Sequence, residues 1–312
     1  MQRRTVLAAA LCAAMPAAAQ ERSVQLISPY SIGAGSYGLL RALGDGMAPV
    51  LGQNVVVVQR DGGSGVVGMR ALAQSAPDGL TIAYAPMTAL VVQPHLVRNL
   101  GLGPESVATV CNVAENILGL VVRAQSPVRD APQLVAEAKR RVLVFGTAGP
   151  NSIPFLAVHR MKVAAGGEYE HLPFRGDVQP ITEVMAGRLD FASIVAASGA
   201  EYIRQGQLRL LGVFSDRRHP EFPEVPTLRE QGIDAEQLSF AGVFAPRATP
   251  PAVLERLEAA CRRAVETEQF RRVAASTGTV VEFRPRAEQA RMVAEAHASF
   301  GRVLRDLGVE PE

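Results

Sequence analysis

Three glycine-rich loops contain the residues whose types and spacing could do chemistry. The first spells G-x-G-x-x-G from Gly33 to Gly38, the second is DGGSGVVG and ends at Gly68, and the third is FGTAGPNS and ends at Ser152. Glycine lets backbone N–H groups approach a ligand closely, and a following helix adds unpaired donors and a positive dipole end. One such loop could be only a tight turn, whereas three in one chain favour a shared anion site.

A dinucleotide is one anion that the first loop could bind. Its sequence matches the G-x-G-x-x-G motif of dinucleotide-binding loops, but four residues, Pro29 to Ile32, separate the preceding strand from the first glycine. In a dinucleotide site that turn is immediate, and an acidic residue after the second strand holds the ribose. Here the acid is late, at Asp61. An exported NAD(P)-dependent enzyme stays a remote alternative, and no cofactor is predicted.

Other catalytic arrangements are missing from the sequence. The histidines show no spacing typical of metal ligands, and they are His95, His159, His171, His219 and His297. The stretch from Gly62 to Val66 lacks the final glycine of a nucleophile elbow, and Leu39 stands where a Walker A loop needs lysine. We therefore predict no catalytic residue and no metal, and expect that the protein is not an enzyme.

Strand-like and helix-like runs alternate along most of the chain and must position these loops. The predicted strands are Val24–Ile27, Val55–Val58, Leu80–Tyr84, Ile117–Val122, Val142–Phe145, Leu189–Ile194 and Leu208–Phe214. The predicted helices are Leu39–Val50, Pro132–Arg140, Pro154–Ala164, Val178–Met185, Pro250–Val265, Ala287–Ala296 and Ser299–Leu307. Such alternation predicts an α/β fold with mostly parallel sheets.

Length and composition agree with an ordinary globular protein. The 312 residues favour two domains, and 48% hydrophobic with 20% charged residues can supply a core. Arg3 and Arg4 account for the excess of 32 basic over 30 acidic residues, so the rest of the chain is neutral. A neutral chain without basic runs does not predict the basic surface patch that nucleic-acid-binding proteins use.

The N-terminus reads as a cleavable signal peptide over residues 1–19. A basic pair (Arg3 and Arg4) precedes a short apolar run and a small-residue site that ends at Ala19. The basic pair leaves twin-arginine export open beside the general secretory route, and the apolar run is shorter than the roughly 18 residues of a membrane span.

The exported chain keeps Cys111 and Cys261. We expect two buried, small apolar residues, although one disulfide is possible outside the cytoplasm.

Several motifs then resemble one known family, the tripartite tricarboxylate transporter solute-binding proteins, also called the Bug family. The matching segments, in order, are Val24 to Arg41, Val55 to Gly68, the A-P-D-G of Ala76 to Gly79 with Thr81, the P-F-R-G of Pro173 to Gly176, the F-P-E-V-P-T of Phe222 to Thr227, and Gly242 to Pro250. Together they span nearly the whole chain after the leader.

The resemblance implies a fold and a function. It implies a type II periplasmic-binding-protein-like fold, with two α/β domains around a cleft: residues 22–122 plus 239–312 form domain 1 and residues 123–238 form domain 2. It further implies a periplasmic monomer that captures a small carboxylate and delivers it to integral membrane permease subunits. A binding protein that feeds a membrane sensor kinase uses the same cleft, and the sequence leaves that alternative open.

The loops supply the predicted ligand-binding residues. Backbone N–H groups of the first loop would hold one carboxylate, the second loop would flank it, and the third would meet the other end of the ligand. The predicted residues of domain 1 are Tyr30, Ser31, Ile32, Gly33, Ala34, Gly35, Ser36, Tyr37, Gly63, Ser64, Gly65 and Thr88, and those of domain 2 are Thr147, Ala148, Asn151, Ser152, Arg175, Ile194 and Val195.

Some of these residues depart from the family pattern. Tyr37 stands where the family has aspartate, and Ile32, Ile194 and Val195 replace residues that are polar or proline in the family. Loss of the carboxylate at Tyr37 predicts weaker recognition of an ammonium-bearing ligand. The apolar replacements predict a less polar or bulkier acid.

Overall fold

The computed structural model describes residues 23–29, 34–149, 152–174, 176–277 and 279–311. Its strands are β1 (Val24–Ser28), β2 (Val55–Gln59), β3 (Thr81–Pro86), β4 (Val107–Glu115), β5 (Leu118–Arg123), β6 (Leu143–Thr147), β7 (Tyr169–Pro173), β8 (Phe191–Val195), β9 (Leu208–Val213), β10 (Phe240–Pro246) and β11 (Val280–Pro285). Its helices are α1 (Ala34–Leu51), α2 (Val66–Ala73), α3 (Thr88–Val91), α4 (Gln93–Leu96), α5 (Ala131–Ala138), α6 (Ile153–Ala165), α7 (Val178–Met185), α8 (Ala196–Arg204), α9 (Pro251–Glu266), α10 (Glu268–Ser276) and α11 (Arg286–Asp306).

The strands form two sheets. The first has six strands in the order β11-β4-β10-β3-β1-β2, and the second has five in the order β7-β6-β8-β5-β9. In the first sheet, β2 and β3 pair with β1 in parallel. Strand β10 pairs antiparallel with β3 and β4, and β11 pairs antiparallel with β4. In the second, β7 and β8 pair with β6 in parallel, and β5 pairs antiparallel with both neighbours. The α/β prediction is confirmed, but the sheets are mixed, not mostly parallel.

Two crossings between the sheets explain the antiparallel strands β5 and β10. Strand β4 ends at Glu115, and β5 begins at Leu118 in the other sheet, while the return crossing ends where β10 begins. Both strands enter at the edge where their neighbours end, so they run in the opposite direction. The Asn116 N–H donates to the Ser239 carbonyl at 2.7 Å, and Arg217 donates to Glu115 at 2.6 Å. These bonds fix the crossings side by side.

The placement of β5 corrects one detail of the predicted division. Residues 118–122 were assigned to domain 1, but β5 pairs with β8 and β9 in the second sheet. By sheet membership, the first boundary between domain 1 and domain 2 lies at the crossing between Glu115 and Leu118, not after residue 122. The division of the chain into two domains otherwise stays a prediction.

Local sequence explains where several elements begin and why others were missed. Asp130, Ser152 and Thr267 accept backbone N–H groups as N-caps of α5, α6 and α10. The seven predicted strands are all present, whereas β4, β7, β10 and β11 were missed. Strands β7 and β11 lie at sheet edges and lack a buried apolar run. The two predicted C-terminal helices are one continuous helix, α11.

Helices cover the first sheet and bury its apolar side chains. Helix α1 packs against α9 and α10, and α11 packs against β4 and α3. Cys111 of β4 and Cys261 of α9 are both fully buried in this layer and are joined as a disulfide. Burial was expected, but the expectation of two unjoined cysteines is wrong. No helix within the described ranges is long and apolar enough to cross a membrane.

Candidate functional site

The carboxyl ends of the parallel strands define the two walls of the candidate site. Strands β1 and β2 end together at Ser28 and Gln59, and β6 and β7 end together at Thr147 and Pro173. Both edges lie beside the crossings, because Pro86 at the end of β3 pairs with β10 and the end of β8 pairs with the start of β5. Open α/β sheets bind ligands outside the carboxyl ends of their strands. The candidate site is therefore the cleft between these two edges.

The first loop leads from the end of β1 into α1. Tyr30, Ser31, Ile32 and Gly33 lie outside the described residues, and α1 begins at Ala34, so Ala34, Gly35 and Ser36 belong to its first turn. Tyr37 follows them and is 44% exposed. The start of α1 therefore follows the carboxyl end of β1, and the carboxylate cradle at this loop stays a prediction.

The second loop is shaped by left-handed backbone. Gly62, Gly63, Ser64 and Gly65 have φ values of 131°, 54°, 53° and 91°. Three are glycines, which adopt these angles without strain, but Ser64 carries a side chain and is strained. Such outliers often mark functional loops. The loop turns directly into α2, whose start at Val66 has no side-chain cap.

The first two loops touch through Gly68 of α2. A Cβ atom at Gly68 would lie 2.6 Å from the Pro29 Cβ and 2.7 Å from the Arg60 carbonyl oxygen. Only glycine allows this approach, which brings the start of α2 against the end of β1. Thr88, another predicted site residue, is half-buried and begins α3 just after β3.

The third loop is held together by its own side chains. The Thr147 hydroxyl is fully buried and contacts the Gly149 carbonyl at 3.1 Å, the Ser152 hydroxyl at 3.2 Å and the His171 Nε2 at 2.7 Å. Ser152 also accepts the Phe155 N–H as the cap of α6. These hydroxyls shape the loop, and the fully buried Thr147 side chain offers no exposed surface to a ligand, contrary to its predicted role as a polar partner.

His171 was missed as part of this site. It lies on β7 against the rings of Phe145 and Phe155, with ring centroids 4.9 and 4.6 Å away. Burial lowers the pKa of His171 from 6.5 to about 4, so the ring is neutral at neutral pH. A neutral ring has one donor and one acceptor nitrogen. Nε2 forms a hydrogen bond with the Thr147 hydroxyl in one of these two roles and so orients that hydroxyl.

The remaining predicted residues of domain 2 have different positions. Ala148 is half-buried in the third loop, and Asn151 and Arg175 lie outside the described residues. Ile194 is fully buried in the core of the second sheet, so its side chain does not line the cleft as expected. Val195 is half-buried and ends β8 at the cleft edge.

Asp177 and Ser198 form a polar pair at the start of α8. One carboxylate oxygen of Asp177, Oδ2, accepts the Val195 N–H at 3.2 Å and the Ser198 hydroxyl at 2.9 Å. Burial raises the pKa of the Asp177 carboxyl, and these two hydrogen bonds oppose that rise. Neither residue was predicted from the sequence. The only available signal was their position just after the P-F-R-G motif and just after β8.

A groove of about 660 Å³ opens beside this pair. Its lining includes Ala197 and Ser198 at the start of α8 and Arg271, Ser276 and Thr277 from α10 and its end. The groove therefore lies between elements of the two sheets, next to the carboxyl end of β8. Within the described ranges, no group of His, Cys, Asp and Glu side chains is placed to hold a metal ion.

Comparisons with known proteins identify relatives over most of the chain. Residues 39–309 match the model of a family described as the tripartite tricarboxylate transporter family receptor. The UPF0065 protein in gbd 5'region of Cupriavidus necator is 29% identical over 305 residues, which cover 95% of this chain and 92% of that protein. A TctC solute-binding protein from Polaromonas, solved without ligand, is 26% identical with a TM-score of 0.84, covering 91% of this chain and 98% of that one.

Two further solved structures share the fold and contain ligands. MatC from Rhodopseudomonas palustris, solved with bound malate, is 24% identical with a TM-score of 0.69 and covers 90% of this chain and 98% of that one. An R. palustris protein solved with adipate is 23% identical with a TM-score of 0.75 and covers 93% of this chain and 98% of that one. The type II binding-protein-like fold expected from the sequence is thereby confirmed.

Proposed function

Because the chain belongs to the tripartite tricarboxylate transporter receptor family, we propose that it is an exported receptor that captures a small carboxylate in its cleft. In this proposal, residues 1–19 are removed on export to the periplasm, and the loaded receptor delivers its ligand to membrane permease subunits of a tripartite transporter. The family is one of solute-binding receptors, not of enzymes.

The single observation that supports this proposal best is the arrangement of helix starts around the cleft. Helices α1 and α2 begin at the edge of the first sheet, and α6 and α8 begin at the facing edge of the second. Helix starts present a positive dipole end and N–H groups that are not used within the helix, which suit carboxylates. Ser152 already accepts one such N–H at α6 and Asp177 accepts one at α8. Two facing sets suit a ligand held at both ends, as a dicarboxylate would be. The malate and adipate bound by the two R. palustris proteins are dicarboxylates.

Calorimetric titration of the ligand-free protein, expressed without residues 1–19, tests the proposal. The panel holds di- and tricarboxylates, amino acids, aromatic acids and NAD(P). We expect saturable, one-to-one binding of one class of carboxylate. At about 100 times its dissociation constant, that ligand should stabilise the protein by roughly 2.7 kcal/mol, which a thermal melt detects. Binding of NAD(P) alone would overturn the proposal. Delivery to a permease is tested separately, by measuring solute uptake in a strain from which the neighbouring permease operon is deleted.

A further inference from the structure

Five charged side chains form a cluster where the chain first crosses between the sheets. Glu115, the last residue of β4, is 5% exposed and accepts Arg217 at 2.6 Å and Arg284 at 3.0 Å. Arg217 also donates to Glu282 of β11 at 2.9 Å, and Arg284 donates to Glu288 of α11 at 2.6 Å. These five residues are called the crossing cluster below.

Arg217 enters the crossing cluster from the side of the second sheet. The other four members lie on β4, β11 and α11, which pack together in the layers of the first sheet. Arg217 lies in the segment after β9, where the Leu228 N–H donates to the Val213 carbonyl at 2.9 Å, and Phe222 and Val225 are buried in the core of the second sheet. The ion pairs of Arg217 therefore join the two sheets, whereas the other pairs of the cluster lie within the first.

The crossing cluster is arranged so that Arg217 can separate without leaving a buried charge unpaired. Removing the partner of a buried carboxylate is costly, but Arg284 binds Glu115 Oε1 while Arg217 binds Oε2. Glu115 therefore keeps one guanidinium when Arg217 moves away. The side chains of Arg217 and Glu282 are 37% and 30% exposed, so water can replace their contact at little cost.

We propose that Arg217 is a releasable restraint on rotation of the two sheets about the crossings. A few residues at the ends of structural elements commonly act as hinges between two such units. The pairs from Arg217 to Glu115 and Glu282 oppose that rotation, and Arg284 retains Glu115 when they break. The proposal concerns movement of the receptor and its test needs no ligand, so its failure would leave the proposed function standing.

Spin labels on the two outer edge strands measure this rotation. Strands β2 and β7 lie at the sheet edges away from the strands that carry the crossings. Val56 on β2 and Leu172 on β7 are exposed, so Val56→Cys and Leu172→Cys provide attachment sites. Cys111 and Cys261 are joined as a disulfide and take no label. Double electron–electron resonance then gives the distribution of distances between the two labels.

Arg217→Met removes the charge and keeps an unbranched apolar side chain, and we expect a wider distance distribution than in wild type. Glu282→Gln should widen the distribution less, because Glu115 still holds Arg217. In about 1 M salt, where charges are screened within roughly 3 Å, the wild-type distribution should approach that of Arg217→Met. The Asn116 N–H, which bonds across the crossings, should exchange with solvent about two- to fivefold faster in Arg217→Met.

Arg218→Met is the matched control. Arg218 donates to Glu230 at 2.9 Å and to the Pro223 carbonyl at 3.0 Å, both within its own segment, so its loss should leave the distance distribution and the Asn116 exchange rate unchanged. Identical distributions in wild type and Arg217→Met, or equal widening by Arg218→Met, would overturn the proposal. If Arg217→Met does not fold, Glu282→Gln and the salt series on wild type decide, and no widening in either overturns it.

Discussion

The two walls of the cleft are built in different ways. At the edge of the first sheet, backbone shape dominates: consecutive residues with positive φ from Gly62 to Gly65 and the close approach at Gly68 bring the start of α2 against the end of β1. At the edge of the second sheet, side chains dominate: Thr147 bonds His171, and Asp177 bonds Ser198. A wall made of backbone recognises what all its ligands share, whereas a wall made of side chains can distinguish among them.

The largest effect should come from adding a side chain to the first wall. Gly68→Val places a Cβ atom within 2.7 Å of the Pro29 and Arg60 main chain, which cannot move without displacing both loops. Overpacking of this kind costs about 1–3 kcal/mol of stability, and we expect ligand binding to be lost. Chemical denaturation and calorimetric titration measure the two effects.

Gly38→Ala is the matched control for that substitution. It lies within α1, and among the described residues its new Cβ atom would meet the Val273 Cγ1 at an ordinary 3.5 Å and nothing nearer. Replacing a glycine inside a helix by alanine should raise stability by roughly 0.5–1 kcal/mol. Wild-type affinity in Gly68→Val would contradict the claim that the first wall depends on backbone shape.

An intermediate effect is expected from Thr147→Val in the second wall. The substitution keeps the shape but removes the hydroxyl that bonds His171, Ser152 and Gly149. Unpaired buried polar groups should cost about 1–3 kcal/mol of stability and weaken ligand binding through the loop. Thr182→Val on α7 is the control, since its exposed hydroxyl donates to the Val178 carbonyl at 3.0 Å. This substitution should change stability by less than about 0.5 kcal/mol. Equal denaturation midpoints for the two variants would argue against a side-chain-built wall.

The smallest effect concerns the pH dependence of the second wall. The pKa of His171 is lowered in the fold from 6.5 to about 4, so the unfolded chain takes up this proton first as pH falls. The stabilising contribution of the neutral ring is complete above pH 6.5 and is lost between pH 6.5 and 4. Between these values, wild type should lose more unfolding free energy than His171→Gln, by on the order of 1 kcal/mol, because the ring is only half-buried and solvent screens its charge. Parallel curves of unfolding free energy against pH would exclude this role for His171.

The contrast also explains what could be predicted from sequence. The local sequence predicts the second loop of the first wall, because Gly63 and Gly65 directly follow a valine-rich strand. The strands carrying them were found for the same reason: buried parallel strands are continuous apolar runs. Edge strand β7, with its exposed polar residues, has no such pattern and was missed.

The second wall could not be predicted in the same way. Thr147 was predicted as a ligand partner, but its partner His171 lies on a different strand, 24 positions away. Asp177 and Ser198 are 21 positions apart, and nothing in their local sequence indicates a pair. Contacts that depend on strand order and register become visible only in the folded chain. Ile194 shows the converse case, since alternation along β8 decides that it faces the core and not the cleft.

A crystal structure of the receptor with the tightest-binding acid of the panel tests the central claim most directly. We predict that one carboxylate accepts backbone N–H groups at the edge of the first sheet, at about 2.7–3.2 Å, and that the other end of the ligand contacts residues at the facing edge of the second. A ligand bound outside the cleft, or held by one sheet edge alone, would contradict the account.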